Sequence, residues 1–343
     1  MERTKPPHSN MLSELSDLKR KVDFNTYDIS VKELISMVAE GIINIAPDYQ
    51  RQFRWKNDRQ SQLIESIFLG IPVPSLFMAT NLDGTWELID GVQRLSSIIH
   101  FAGTDEARAK IQLDTHLKLS DLTKLQTFNN ISFEQLPKSV QLDFQLKPLK
   151  ITTLSDKSDM NVRFDLFERL NTGGIALTNQ EIRSCVYRGK FNDFIKNLAT
   201  DENFHHSVRL TATQEADGTR EEFVLRFFAF LFNYQNFEHS VVQFLNDYMN
   251  EATKKFDYLE GERIFKSTFD NLGILPSGIT RNRSTTPTNL FEAVAVGAAL
   301  ALIQNGSFVA QNFDWISSAE LRNLTTGATN SRKKVVKRIE YCR

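Results

Sequence analysis

Apolar positions along the chain follow two periods. Up to about residue 158, short strand-like stretches alternate with helical stripes, and beyond that the helical period takes over. "SVKELISMVAEG" reads as a helix closed by Gly41, and "IINIA" as a strand ahead of a turn at Pro47. In "NDRQSQLIESIFLGIPVP", Leu63, Ile64, Ile67 and Phe68 form one helical face, with Asn57 or Asp58 as cap and Gly70 and Pro72 as the stop. "SLFMAT" and "WELID" are expected to be strands joined by a hairpin turn at Asp83-Gly84, followed by a helix that buries Leu95, Ile98, Ile99 and Ala102. Residues 104 to 145 are polar and poorly periodic, and "PLKITTL" is expected to be the last strand of this part.

"DMNVRFDLFERL", "NQEIRSCVYRG", "EEFVLRFFAFLFNY", "VVQFLNDYMNEATKKF" and "PTNLFEAVAVGAALALIQNG" all predict helices. Thr178 and Glu181 form a capping box ahead of the second of these. At the other end, Met11, Leu12, Leu15 and Leu18 have helical spacing within a charged arm. The fold class expected is therefore α+β: an arm over 1–26, an α/β domain over 27–158 and a helical domain over 159–343.

Composition narrows the function. Lys and Arg (41) balance Asp and Glu (42), so no global basic field draws the chain to nucleic acid or an anionic membrane. Cys185 and Cys342 are too few and too far apart for a disulfide framework or a zinc site. The first residues lack the apolar core of a signal peptide, and later apolar runs are too short or interrupted to span a bilayer, so the expected location is the cytoplasm with no membrane partner. Walker A, HExxH and GxSxG patterns are absent from the sequence. The adjacent His205 and His206 point apart and make a poor metal pair, and His100 reads as a packed or half-exposed residue rather than a catalyst.

Three clusters carry the chemistry. In "LIDGVQRL", Asp90 is expected to cap the helix after the Gly91 turn, where unpaired backbone N–H groups favour an anion. Phosphate is the natural guest. Arg94 adds a forked donor, Gln93 can orient water or touch a ribose, and Asp90 can instead hold Mg²⁺. Against this, an Asp before a helix needs no function. "PDYQRQFRW" places Tyr49, Gln50, Arg51, Arg54 and Trp55 between a strand and a helix, a composition suited to phosphate binding and base stacking, or simply to solvated charges beside anchored aromatics. "LNTGGIALTNQE" offers Asn171, Thr172 and Gly173 in a turn that can approach a ligand, although such a Gly pair is usually a plain connection.

Taken together and in this order, the clusters resemble domain of unknown function 262, a family whose hallmark is a DGQQR motif. "PDYQRQFRW", "LIESIFLGIPVP", "IDGVQRLSSIIHF" and "FERLNTGGIALTNQEIR" match it in register over residues 47 to 183. The resemblance implies an N-terminal ParB/sulfiredoxin-like α/β domain followed by helices. It also implies the nucleotide-hydrolysing part of a Gmr-type restriction system that attacks modified DNA. In such systems a His-Asn-His nuclease domain cuts, and no candidate for it is found before Arg343. The hydrolysing or sensing half is thus expected to act with a separate nuclease or effector subunit.

The site residues carried over are Asp90, Gln93 and Arg94 as catalytic, with Asp90 as the Mg²⁺ ligand. Tyr49, Gln50, Arg51, Arg54, Gly91, Asn171, Thr172 and Gly173 are carried over as nucleotide-binding. Val92 departs from the family pattern by replacing its first Gln, which bears on hydrolysis more than on binding. Arg51 is expected to converge on Arg94, with Asp90 or Glu65 offsetting their repulsion. Residues 171–174 are expected to close on the same cleft. Three readings stay open: a nucleoside triphosphate-binding and hydrolysing defence module, a DNA-binding or nicking protein, and a non-catalytic scaffold.

Overall fold

The computed structural model describes residues 11, 15–16, 23–45, 55–81, 83–155, 160–170, 177–281, 284–306, 314–327 and 329–343. The chain divides into two compact units, Met1–Ala176 and Leu177–Arg343. The division lies beyond residue 158, so the helix over Met160–Leu170 is grouped with the first unit.

The first unit is built on a five-stranded sheet in the order β1-β5-β3-β4-β2, where β1 is Phe24–Ser30, β2 Ile43–Asn44, β3 Leu76–Thr80, β4 Trp86–Asp90 and β5 Pro148–Leu154. β5 sits inside the sheet and alternates from Pro148 to Thr153, burying Leu149, Ile151 and Thr153, with Leu154 buried as well at its end. It runs antiparallel to β1 and parallel to β3. β3 and β4 form the expected antiparallel hairpin, and β2 lies parallel to β4 on the outer edge. Strand β1 begins within the expected arm. It is exposed from Phe24 to Asp28 and offers no apolar alternation to read. Met11 and Leu15 of that arm are helical and exposed, whereas Leu12 and Leu18 lie outside the described residues.

Helix α1 (Val31–Ala39) starts at Ser30, whose hydroxyl accepts from Glu33 N–H, and buries Val31, Leu34, Ile35 and Val38 as a single stripe. Helix α2 (Asn57–Phe68) begins one residue earlier than expected. Lys56 stands at its cap position without a side-chain bond, so neither Asn57 nor Asp58 is the cap. Helix α3 (Val92–Ala102) buries Leu95, Ile98, Ile99 and Ala102 as its pattern predicts. Between α3 and β5 the polar stretch is not structureless: it holds α4 (Asp105–Lys110) and α5 (Lys138–Leu146). Isolated anchors such as Leu117, Leu119, Phe133 and Phe144 pin it down. Phe144 packs against Phe68 (4.7 Å) and Phe101 (5.4 Å), tying three helices together. Helix α6 (Met160–Leu170) packs on β4, with Arg163 donating to Thr80 O at 3.2 Å.

The second unit is helical: α7 (Asn179–Val186), α8 (Lys190–Leu198), α9 (Glu202–Ser207), α10 (Ala212–Ala216), α11 (Thr219–Asn233), α12 (Val241–Lys254), α13 (Tyr258–Leu272), α14 (Thr288–Asn305), α15 (Ala319–Thr325) and α16 (Arg332–Cys342). The Thr178–Glu181 capping box is present. Helix α14 is apolar all round and is buried accordingly. Its Gly297 is required by packing, because a Cβ there would stand 2.6 Å from Cβ of Cys342 on α16. A chain of alternating charges also runs through this core. Arg183 pairs with Glu222 (3.0 Å), Glu222 with Arg226 (2.7 Å), Arg226 with Glu292 (2.6 Å), and Glu292 with Arg338. Burial opposes the Glu222 charge, but Arg226 and Arg183 override it and hold the carboxyl below the usual range. Among the described residues no helix is long and apolar enough to cross a membrane.

Candidate functional site

Because β2 and β4 are parallel neighbours, pairing Ile43 with Trp86 and Asn44 with Glu87, their C-terminal ends lie at the same edge of the sheet. The turn at Gly91 follows β4 there. β4 is irregular against β3 near this edge: the register shifts between Phe77, opposite Asp90, and Met78, opposite Leu88. Such irregularities re-aim the side chains beside them.

The turn from β4 into α3 is made by Gly91 alone, at φ 106°. A Cβ on it would lie 2.3 Å from Cδ2 of Leu76, so both backbone conformation and space require glycine. This turn corrects the expectation for Asp90. Gly91, not Asp90, occupies the cap position and provides no side-chain bond. The Asp90 carboxylate lies beside the first turn of α3 rather than capping it. There Oδ2 pairs with Arg94 Nη2 at 2.7 Å. The same Nη2 donates to Ser75 O at 3.2 Å, and Arg94 Nε is buried without a hydrogen-bond partner among the described residues.

Gln93 is occupied on its carbonyl side, where Oε1 accepts from Trp55 N–H at 3.1 Å. Trp55 O in turn accepts from Gln60 Nε2 at 2.7 Å, and Gln60 Oε1 meets His100 Nδ1 at 2.8 Å. The run His100–Gln60–Trp55–Gln93 thus pins the end of the first cluster to the start of α3. Arg59 lies over the Trp55 ring at 4.5 Å. Burial, followed by the charges of His116 and Arg108, pushes the His100 pKa down, and the residue is buried, one of the two placements expected from sequence.

The structure therefore gathers Asp90, Gly91, Gln93 and Arg94 into one turn. Tyr49, Gln50, Arg51, Arg54, Asn171, Thr172, Gly173 and Gly174 lie outside the described residues, and with them the expected convergence of Arg51 on Arg94 and the expected closure of residues 171–174. Glu65 does not serve as the offsetting carboxylate. Its Oε1 accepts from the backbone N–H groups of Lys124 and Leu125 at 2.9 and 2.8 Å, and Asp90 faces Arg94 instead. Gln60 was not foreseen as part of the site. Its only sequence signal is a polar residue on the face of α2 that buries Ile64 and Ile67.

No group of three or more His, Cys, Asp or Glu residues able to hold a metal ion occurs among the described residues. Mg²⁺ beside nucleotide phosphates typically needs only one or two carboxylates. Asp90 fits that requirement, being about one-third exposed with only Oδ2 engaged among the described residues.

Residues 31–188 match the model of a family described as GmrSD restriction endonuclease, N-terminal domain. The match covers a little under half of the chain. The GmrSD-type match takes in β2 to β5 and α1 to α7, and so the whole turn at Gly91. It starts after β1 and ends at Arg188, within the second unit. No curated protein matches the chain. A solved structure, the C2221 form of a Pnob8-like ParB-N domain, is similar at 10% identity, covering 93% of this chain and 94% of that one with a TM-score of 0.23.

Proposed function

We propose that the first unit binds a nucleoside triphosphate at the sheet edge where β2 and β4 end, and hydrolyses it as part of a prokaryotic restriction or phage-defence system. The observation that carries this reading is the parallel pairing of β2 with β4, reinforced by the Trp55–Gln93 hydrogen bond. Together they bring Trp55 and the turn at Gly91 to one edge of the sheet.

The chemistry follows from the turn. The first N–H groups of α3 have no partners within the helix and, with the dipole, favour a phosphate group there. Arg94 supplies a guanidinium for its oxygens but is held by Asp90 when empty. Mg²⁺ arriving with the nucleotide would be held by Asp90 and would neutralise phosphate charge. With Asp90 so engaged, Arg94 would be released to pair with the phosphate oxygens. Gln93 accepts from Trp55 N–H and holds that residue against α3, which makes it a positioning residue. The family description supports assignment to a restriction system.

Thermal melting with each nucleoside triphosphate, with and without Mg²⁺, tests the reading. A ligand at about a hundred times its dissociation constant stabilises by roughly 2.7 kcal/mol. A Mg²⁺-dependent rise in melting temperature with at least one nucleotide, lost in Arg94→Ala, is expected, together with phosphate release. If no nucleotide shifts the melt while duplex DNA does, the DNA-binding reading replaces this one.

A further inference from the structure

The second unit carries a cavity of about 370 Å³ between the end of α11, the end of α12 and the start of α13. This volume falls in the range of small-ligand pockets. Aromatic rings form its walls. Phe232 is 48% exposed and stacks on Phe228 with an interplanar angle of 10°. Phe256 stands edge-on to Phe232 at 6.4 Å. Phe256 can approach α13 this closely only because residue 261 is glycine: a Cβ there would be 2.7 Å from its ring.

Polar groups line the same space. Tyr248 is only 6% exposed, packs edge-on against Phe191, and has a hydroxyl without a hydrogen-bond partner among the described residues. Burial and the neighbouring Glu251 carboxylate raise its pKa, so the hydroxyl stays protonated. Glu251 itself has no ion-pair partner among the described residues, and Asp257 is the exposed cap of α13. Glu260 also lines the cavity but is neutralised by Arg263, and Lys255 contributes one opposing charge.

We infer that this cavity receives an arginine side chain presented by a protein partner. Ring faces attract cations, and a guanidinium stacks on them better than an ammonium while sparing five donors for surrounding oxygens. Glu251 and Asp257 supply carboxylates, and the Tyr248 oxygen can accept a further bond. The same carboxylates repel phosphate, which disfavours a nucleotide or nucleic-acid guest. Half-exposed Phe232 leaves apolar surface beside the cavity for the partner's neighbouring residues to cover.

The test is calorimetric titration of the full chain with a capped Gly-Arg-Gly peptide, its citrulline counterpart and free spermidine. Saturable binding of the arginine peptide is expected, at least tenfold tighter than citrulline. Binding should weaken at least tenfold in Glu251→Gln and in Phe232→Ala, both exposed positions whose replacement leaves the melting temperature nearly unchanged. Any one of three results would overturn the inference: citrulline binding equally well, no saturation at millimolar peptide, or Glu251→Gln binding like the parent chain. Spermidine binding as tightly as the peptide would assign the cavity to small free cations and overturn the partner assignment.

Discussion

Asp90 and Arg94 face each other across the Gly91 turn, one residue ending β4 and the other in the first turn of α3, with 2.7 Å between carboxylate and guanidinium. Their side chains are 32% and 17% exposed, so the pair contributes little to stability, about 1 kcal/mol or less. Replacing either should therefore leave folding nearly intact and alter ligand binding. Arg94→Ala is expected to abolish the nucleotide-dependent melting shift. Asp90→Asn frees Arg94 and is expected to strengthen Mg²⁺-independent binding of inorganic triphosphate while removing the Mg²⁺ requirement. Parallel melts with and without EDTA check both outcomes.

Gly91→Ala should behave oppositely, damaging the fold first. A left-handed backbone at φ 106° and a Cβ 2.3 Å from Leu76 add strain and overpacking, together about 2 kcal/mol or more. Urea unfolding should show a lowered midpoint with an unchanged slope.

His100 gives the first unit a pH dependence. Its folded-state pKa lies below the ordinary value of 6.5 because burial and two nearby bases disfavour the charged form. In acid the unfolded chain takes up a proton that the folded chain resists. The contribution is thus fully present above about pH 6.5 and is lost as pH falls from there towards the lowered folded value. Stability measured between pH 7.5 and 5 should fall less steeply in His100→Asn than in the parent chain. Equal slopes would show that His100 is not responsible.

Gln93→Leu should loosen Trp55. Losing an acceptor for a part-buried N–H costs about 1–3 kcal/mol. Faster hydrogen exchange at the Trp55 amide is the direct readout, and weaker nucleotide binding is the expected consequence of an untethered first cluster. Exchange unchanged at Trp55 would mean that other contacts hold the segment.

The hairpin, the α3 stripe and the helical character of the second half were legible because local periodicity and burial agree there. β1 was not, since its partner β5 lies more than a hundred residues away in sequence and its exposed residues carry no alternation. Residues 104–145 hid for a related reason: single buried anchors hold them, and single anchors have no period. At the site, sequence indicated that Asp90, Gly91, Gln93 and Arg94 cluster but not how Asp90 points, because the left-handed backbone at Gly91 decides that. Gln60 was invisible because its partners, Trp55 O and His100, are set by how α2 and α3 pack.

The alternating charges in the second unit bear on how the chain can be divided. Arg183 falls inside the family match that ends at residue 188, yet its carboxylate partner, Glu222, is on α11 and its amide partner, Asn246, is on α12. Glu222 is shared with Arg226, which reaches Glu292 and through it Arg338 near the C-terminus. Stripping one member from a buried pair costs about 3–5 kcal/mol. A fragment ended at residue 188 would hold every position by which kinship is recognised, but would strand a guanidinium that the rest of the protein was built to enclose. Its α7 should unravel, whereas a cut at residue 176 spares the first unit that burden. The end of the family match and the division between the two compact units do not coincide in this chain.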